Sequence, residues 1–261
     1  MLFRSTREQC KDFLLGDTMT PSSAANAQRK LVAVLSEAVR DKRIVENPAK
    51  GIKVPYSAKR AELVPVTYEQ LCTIEQSLPP EWRLALWLCF GCGLRIGESL
   101  AVRADSVRNG TTLRVEEQVT NAHTGHSVIA PLKGRHLSDW RDVPCAAWLL
   151  DKINAHVAEF GTEGYLFPAF AVAHIPTQRW RRRFNVGCVK AGCPDLYMHN
   201  LRHRFSSTML DAGEPIANVA KFLGHRDINL TVMLYGHLIK ESTGRAVSAA
   251  DKAFSEFKGD A

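Results

Sequence analysis

Apolar residues recur at helical spacing along much of this chain, and typical helix-start residues precede several of these stretches. Thr20 is followed directly by Pro21, which is a capping residue with a proline in the first helical turn. The apolar positions that follow share one face of a helix: Leu31, Val34, Leu35, Ala38 and Val39. This part of the sequence therefore predicts a long amphipathic helix.

Other helix starts carry signals of their own. Ser5 with Glu8, and Thr67 with Gln70, have the spacing of capping boxes, and a proline pair precedes the apolar run that begins at residue 84. Helical patterns return later in the chain, at residues 146–160, 178–189, 199–212 and 215–223. A last amphipathic segment has four apolar residues on one face: Val247, Ala250, Phe254 and Phe257.

Strands are expected only in the middle of the chain. The sequence predicts three short ones, at residues 113–119, 127–131 and 141–143, separated by loops that contain glycine. The expected fold is therefore mainly α (α+β). It has a helical N-terminal segment and a mostly helical second domain with a small antiparallel β-sheet.

Residues 48–63 show no periodicity and mark the expected domain boundary. This stretch contains two prolines, a glycine and four cations: Pro48, Gly51, Pro55, Lys50, Lys53, Lys59 and Arg60. Such a composition is typical of a basic linker. We therefore predict a helical domain over residues 1–55, a linker over residues 56–63 and a second domain over residues 64–261.

The positive charge of the chain is concentrated near its N-terminus. The sequence has 34 Lys and Arg against 27 Asp and Glu, and residues 1–60 contribute twelve basic and six acidic side chains. This asymmetry suggests a polyanion such as DNA as partner, although a well-solvated basic surface explains the same charge equally well. The candidate DNA contacts are Arg29, Lys30, Lys50, Lys53, Lys59, Arg60, Arg179, Arg181 and Arg182.

Composition excludes several classes of protein. The hydrophobic share of 45% and the charged share of 23% are those of a globular protein. The longest apolar run, residues 84–94, is shorter than the roughly 20 residues that a membrane span needs. The first residues lack the apolar segment of a secretory signal. We therefore expect no membrane partner and a cytoplasmic location.

The seven cysteines have neither the density nor the spacing of a disulfide framework. Cys89 and Cys92 are spaced like a pair of zinc ligands, but they lie in an apolar stretch. The second close pair, Cys188 and Cys193, is poorly spaced to complete such a site. We expect buried, reduced thiols, with no metal and no cofactor.

Four short motifs carry the candidate chemistry. In chain order they are Gly93-Leu94-Arg95-Ile96-Gly97-Glu98, Pro131-Leu132-Lys133-Gly134, His199-Asn200-Leu201-Arg202-His203, and Leu223-Gly224-His225 followed ten residues later by Tyr235-Gly236-His237. This set resembles the tyrosine recombinase (phage integrase) family. Its members share an Arg after Gly-Leu, a hairpin Lys, a His-x-x-Arg, a Leu-Gly-His and a nucleophilic Tyr in this order. The resemblance covers roughly residues 20–240.

The resemblance implies a site-specific recombinase or integrase that integrates and excises a phage or mobile element. Such an enzyme cleaves and rejoins DNA through a 3′-phosphotyrosyl intermediate without a metal. Residues 1–55 would be a reduced core-DNA-binding domain and residues 64–261 a catalytic domain with a C-terminal tail. We therefore expect the small form of the family, without an arm-type DNA-binding domain.

The resemblance also implies partners. The first is double-stranded DNA at a core attachment site with inverted repeats. The second is the chain itself, as a homotetramer on DNA assembled from monomers in solution. A host or phage DNA-bending or directionality factor is a further candidate partner. The resemblance further implies a nucleoid-associated location in a bacterial host.

The residue types suit metal-free phosphodiester cleavage. Arg95 and Arg202 can hold phosphoryl oxygens in a bidentate manner and keep their charge at neutral pH. His199 and His225 can donate hydrogen bonds to the same oxygens, and one of them can take the phenol's proton. Tyr235 is the expected nucleophile.

Two residues are expected in supporting roles. Lys133, on a hairpin, suits the protonation of the leaving 5′-oxygen. Glu98, three residues after Arg95, is expected to orient the site rather than to act on the substrate.

Each of these residues also has an ordinary structural interpretation when it is taken alone. An Arg–Glu pair three residues apart is common on helix surfaces, and Tyr235 could be a buried aromatic with a satisfied hydroxyl. The combination of motifs argues against these interpretations for Arg95, Arg202, His225 and Tyr235. Two other functions stay open: a DNA-binding regulator on the same fold that does not cleave, and a type IB topoisomerase.

Overall fold

The computed structural model describes residues 6–16, 18–55, 65–121, 126–134, 136, 138–161, 164–167 and 174–235. The chain divides into two compact units, Met1–Ala61 and Glu62–Ala261. The predicted mainly helical fold with a small antiparallel β component is confirmed. The predicted C-terminal apolar strip, together with Lys59, Arg60 and His237, lies outside the described residues.

The first unit contains helices α1 (Arg7–Leu15) and α2 (Pro21–Arg40). Thr20 caps α2 as predicted, because its side chain accepts a hydrogen bond from the Ser23 amide. The predicted capping box of α1 is wrong by one residue. Thr6 and Gln9 form it instead, each side chain accepting from the other's backbone N–H.

A small core holds the first unit together. It consists of five buried residues from both helices and the segment after them: Cys10, Leu14, Leu35, Ala49 and Ile52. Asn47 ties that segment to α2, since its amide nitrogen donates to the Val32 carbonyl at 2.9 Å and to the Ser36 hydroxyl at 2.9 Å. Val34 was predicted on the apolar face of α2, but its side chain is exposed, because the buried stripe follows Leu35 and Ala38.

The second unit contains most of the helices. They are α3 (Tyr68–Gln76), α4 (Arg83–Gly91), α5 (Ile96–Ser99), α6 (Ala147–Phe160), α7 (Thr177–Lys190), α8 (Met198–Asp211), α9 (Ile216–Leu223) and α10 (Ile228–Tyr235). The predicted box of Thr67 and Gln70 does open α3. The short helices α5 and α10 were not predicted, since neither offers two full turns of a regular apolar stripe.

Helix α4 is the centre of the larger core. Six consecutive residues, 84–89, are buried, so the helix is covered on all sides. A single 3-10 turn, Pro80–Trp82, leads into it. Trp180 of α7 is fully buried, donates to the Trp82 carbonyl at 3.2 Å and stacks on Phe184. These contacts anchor α7 and leave its arginines facing outward.

Within the described residues, five short strands form two antiparallel sheets. They are β1 (Val107–Arg108), β2 (Thr112–Val115), β3 (Glu117–Asn121), β4 (Ser127–Pro131) and β5 (Arg141–Pro144). One sheet has the order β1-β2-β5 and the other pairs β3 with β4. The single strand predicted over residues 113–119 is therefore wrong. The chain breaks at Glu116, because β2 pairs with β5 whereas β3 turns back to pair with β4.

Among the described residues, no helix combines the length and the apolar character required to cross a membrane.

Helices α3 and α7 approach each other closely at Gly187. A Cβ atom placed on Gly187 would lie 2.9 Å from the Cα atom of Ile74 and 3.1 Å from its carbonyl oxygen. These are backbone atoms, which cannot move aside as the end of a flexible side chain can. The contact therefore requires a residue without a side chain.

We predict that Gly187→Ala destabilises the protein by about 1–3 kcal/mol, although alanine favours helix by about 1 kcal/mol. Denaturant unfolding of the full chain measures the change. Asn185→Ala, at an exposed position of the same helix, is the control and should leave stability unchanged or slightly higher. A Gly187→Ala variant as stable as that control would contradict the close approach.

Candidate active site

A buried carboxylate lies at the centre of the site. Glu98, in α5, is 1% exposed and accepts hydrogen bonds from the Arg95 backbone N–H at 2.9 Å and from Arg95 Nη1 at 2.7 Å. Arg95 itself is the residue just before α5, so the short helix sets the distance between the two. The pair is thus part of the interior and not a surface helix pair.

Arg141 is a second partner of Glu98 that the motifs did not reveal. Its Nη2 lies 2.6 Å from one carboxylate oxygen of Glu98, its Nη1 lies 3.3 Å from the other, and its Nε donates to the Phe222 carbonyl at 2.7 Å. Strand alternation was the available signal. Arg141 lies two residues before the buried Val143 in β5 and therefore points to the same inner face.

Arg202, in α8, is also buried, with 2% of its side chain exposed. Its guanidinium donates to the Gly93 carbonyl at 2.8 Å and to the Leu223 carbonyl, and lies 3.9 Å from Glu98. Burial lowers the pKa of Arg202, and the charges of Arg95 and Arg141 lower it further. Glu98 and the two carbonyls compensate by stabilising the protonated form.

The Leu-Gly-His motif forms the turn that ends α9. Gly224 adopts the left-handed conformation, with φ at +66°, and its N–H and that of His225 bond back to the last turn of the helix. A Cβ on Gly224 would lie 3.2 Å from Arg141. The turn therefore exposes the Leu223 carbonyl to Arg202 and directs His225 toward the arginines.

Both predicted histidines are in the positive field of the arginines. Partial burial, together with the charges of Arg202 and Arg95, lowers the pKa of His225 to about 4. His199 is exposed at the surface, but burial of part of its side chain lowers its pKa. Electrostatic repulsion from His203, Arg202 and Arg95 lowers that pKa further, to about 4. Both imidazoles are therefore neutral at pH 7 in the free protein.

Tyr235 is the last residue of α10 and is 2% exposed. Its hydroxyl is in hydrogen-bond contact with Nδ1 of His203, and one turn earlier Thr231 Oγ1 lies 2.7 Å from Nδ1 of His225. His203 and Thr231 were not among the predicted site residues. Helical spacing could have indicated both, since His203 lies four residues after His199 and Thr231 four residues before Tyr235.

The structure thus brings together five of the six predicted catalytic residues: Arg95, His199, Arg202, His225 and Tyr235. The sixth, Lys133, is exposed on the turn that follows β4. Its predicted position on a hairpin is wrong, because β4 pairs with β3 whereas β5 pairs with β2 in the other sheet. The next residue, Gly134, lies near Arg226, since a Cβ placed on it would be 3.5 Å from Arg226 Nη1. The turn therefore approaches the segment that carries His225.

The predicted DNA-contact residues within the described ranges are all exposed. They are Arg29 and Lys30 in α2, Lys50 and Lys53 after it, and Arg179, Arg181 and Arg182 in α7. Each is therefore accessible to a polyanion.

The cysteines are thiols. Cys89 and Cys92 are both fully buried, and burial raises the pKa of Cys89 to about 12. Within the described part of the chain, no group of three or more His, Cys, Asp or Glu side chains is arranged to hold a metal ion.

The match to the sequence model of the phage integrase family covers residues 63–242. The integrase of Mycobacterium phage FRAT1 is 26% identical over 211 residues, which are 78% of this chain and 62% of that protein. The chain spans about 60% of the length of the first curated relatives that it matches.

Solved structures share the fold. The Tn1549 transposon integrase in complex with a circular intermediate DNA superposes with a TM-score of 0.73 at 17% identity, covering 88% of this chain and 81% of that chain. The XerH site-specific recombinase bound to palindromic difH substrate, a post-cleavage complex, gives 0.65 at 17% identity, covering 95% and 72%. The resemblance to the tyrosine recombinases is therefore confirmed for family and fold.

The Glu98 network generates a pH prediction. Burial opposes ionisation of Glu98, but Arg141, Arg95 and Arg202 more than offset it and lower its pKa from 4.5 to about 2. Because the folded-state pKa is the lower one, the stabilisation is complete above pH 4.5 and is lost as the pH falls toward 2. It amounts to about 3 kcal/mol.

We predict that Glu98→Gln costs about 3–5 kcal/mol at pH 7, since three guanidiniums lose their common partner. Its stability should also fall less steeply than that of the wild type between pH 4.5 and 2. Denaturant unfolding across this pH range measures both effects. The control is Glu159→Gln, on the exposed side of α6, whose free energy of unfolding should stay within about 0.5 kcal/mol of the wild type. An equal loss of stability in both variants would contradict the network.

Proposed function

We propose that this chain, which belongs to the phage integrase family, cleaves and rejoins DNA strands at a specific site, as an integrase of a phage or mobile element. The observation that carries the proposal is one cluster of groups around Tyr235: two guanidiniums, two imidazoles and the phenol itself. They come from α8, α10 and the residues next to α5 and α9. A protein that only binds DNA has no use for a nucleophile in such surroundings.

The proposed reaction is a transesterification. The Tyr235 oxygen attacks phosphorus, the bond from phosphorus to the 5′-oxygen breaks, and a 3′-phosphotyrosine and a 5′-hydroxyl result. The bond energy is kept in the phosphotyrosine, so the reverse attack by a 5′-hydroxyl rejoins DNA. Lys133, on its exposed turn, would supply the proton that the leaving oxygen needs.

We propose that arginines take the role that metal ions have in other phosphoryl-transfer enzymes. A unit charge pair at 4 Å and an effective dielectric constant near 20 is worth roughly 4 kcal/mol, so two guanidiniums can stabilise much of the charge that builds up on the phosphoryl oxygens. Arg95 and Arg202 are suited to this role because Glu98 and backbone carbonyls hold them in place before substrate binds. His199 and His225 would donate to the same oxygens.

Substrate binding is assigned to the exposed cations. Arg179, Arg181 and Arg182 extend from α7 of the second unit, and the first unit offers Arg29, Lys30, Lys50 and Lys53. We propose the first unit as a core-DNA-binding domain and the second as the catalytic domain. In this scheme four chains act on a pair of sites with inverted repeats.

We predict that Tyr235→Phe binds target DNA normally but forms no covalent adduct. The change removes one hydroxyl and no charge, so phosphate contacts persist. The measurement uses a nicked duplex that traps the intermediate, with the site selected from random-sequence DNA by the wild-type protein. Because the proposed reaction uses no metal, the wild-type protein should form the same amount of adduct with and without EDTA.

The outcomes separate the alternatives. Adduct from Tyr235→Phe would remove Tyr235 as the nucleophile. A wild-type protein that binds DNA without any adduct would favour the regulator. Adduct together with relaxation of supercoils, but without strand exchange between two site-bearing plasmids, would favour the topoisomerase.

We predict that Arg202→Lys lowers the rate of adduct formation at least 100-fold. A lysine is a point charge and cannot donate in the planar fork that reaches the Gly93 and Leu223 carbonyls and a phosphate together. The same trapping assay measures the rate. Arg204→Lys makes the same arginine-to-lysine change at an exposed position of the same helix and is the control. A similar loss of adduct-formation rate in both variants would contradict the role assigned to Arg202.

A further inference from the structure

The phenol of Tyr235 is in contact with a histidine that none of the four motifs assigns to catalysis. Nδ1 of His203 meets the Tyr235 hydroxyl, and the two ring centroids are 5.6 Å apart. His203 packs in turn edge-on against His199, one helical turn before it, with centroids 4.7 Å apart. Three titratable side chains thus form a row that ends at the nucleophile.

We propose that His203 is the group that accepts the phenol proton when Tyr235 attacks DNA. The inference rests on the proposed function and makes it more specific. In this step the O–H bond of Tyr235 breaks as its oxygen bonds to phosphorus, and the proton forms an N–H bond at Nδ1 of His203. The imidazolium returns that proton to the phenol when the DNA strand is rejoined.

A direct acceptor is needed because the phenol is poorly placed to ionise by itself. Burial raises the pKa of Tyr235 above its usual 10, although Ser206 and the charge of Arg202 act in the opposite direction. With 2% of the residue exposed, water has little access to its hydroxyl in the free protein. The proton must therefore leave through a neighbour in contact, and that neighbour is His203.

His203 is in the right protonation state for this role. Burial and the charge of Arg202 lower its pKa below 6.5, so a lone pair is available at pH 7. The titratable and charged groups that face it are His199 and Arg202 on its own helix and Tyr235 on α10, with His225 facing His199 from the end of α9. Arg202, the cation in this group, favours the neutral imidazole.

The other two imidazoles are committed elsewhere. Nδ1 of His225 is paired with the Thr231 hydroxyl at 2.7 Å. His199 lies at the solvent-facing side of the row, beyond His203 as seen from the phenol. Both therefore suit hydrogen bonding to phosphate oxygens, which separates charge stabilisation from proton transfer.

His203→Asn is the decisive variant. The asparagine amide can occupy the position of Nδ1 and keep a hydrogen bond to the phenol, but it cannot take a proton. We expect DNA affinity and melting temperature close to those of the wild type and a rate of adduct formation at pH 7 lower by about 100-fold or more. The rate of His203→Asn should increase as the pH is raised toward about 9, whereas the wild-type rate should stay flat over the same range. His126→Gln, an exposed imidazole-to-amide change at the far end of β4 from Lys133, should behave as the wild type.

A substrate with sulfur in place of the bridging 5′-oxygen distinguishes the base from the acid. Sulfur leaves without being protonated, so it should restore cleavage to Lys133→Ala but not to His203→Asn. On the same substrate the wild-type rate should fall as the pH is lowered below 6.5, because the base becomes protonated. This second measurement needs no variant and holds even if His203→Asn folds poorly.

The outcomes are distinct. Three results would overturn the assignment of His203 while leaving the proposed function intact: equal or faster adduct formation by His203→Asn, rescue of that variant by sulfur, or a wild-type rate on the sulfur substrate that does not fall at low pH. Failure of the wild-type protein to form any adduct on either substrate would instead overturn the proposed function.

Discussion

The site depends on one buried carboxylate among three guanidiniums. An isolated ionised carboxylate in the interior would be unstable, and so would each buried arginine without a partner. Glu98 makes direct bonds to Arg95 and Arg141 and lies 3.9 Å from Arg202, so one negative charge compensates groups from α5, β5 and α8. The resulting excess of positive charge is fixed in place by the fold and is available to an anion.

Much of this arrangement was predictable from sequence. The capping pair Thr67 and Gln70, the long helix after Thr20 and the strand at residues 127–131 follow local rules of hydrogen bonding and periodicity. The candidate catalytic residues came from four motifs. Those motifs lie on separate elements, and the structure brings the arginines, histidines and tyrosine to one place.

What the sequence did not reveal involves partners that are distant in the chain. Arg141 joins Glu98 across 43 positions and the Phe222 carbonyl across 81, and no local pattern encodes such a pairing. His203 contacts Tyr235 across 32 positions of the chain, and Tyr235 lies on α10, a helix that was not predicted. The break at Glu116 likewise depends on pairing, because the segment before it pairs with β5 and the segment after it pairs with β4. These pairings are decided by the fold as a whole.

The same excess of charge connects the resting site with the proposed reaction. In the free protein, burial together with the charges of the arginines keeps His199 and His225 neutral. In the proposed reaction, a phosphodiester entering between them would add a negative charge, which would raise the pKa of both imidazoles and strengthen the hydrogen bonds that they donate. His203 lies one turn deeper, next to the phenol. An imidazole there would be less affected by the incoming phosphate and would keep the free lone pair that a proton acceptor needs. In the proposed DNA complex, the order of the histidines along α8 would thus give neighbouring side chains opposite protonation preferences at the same pH.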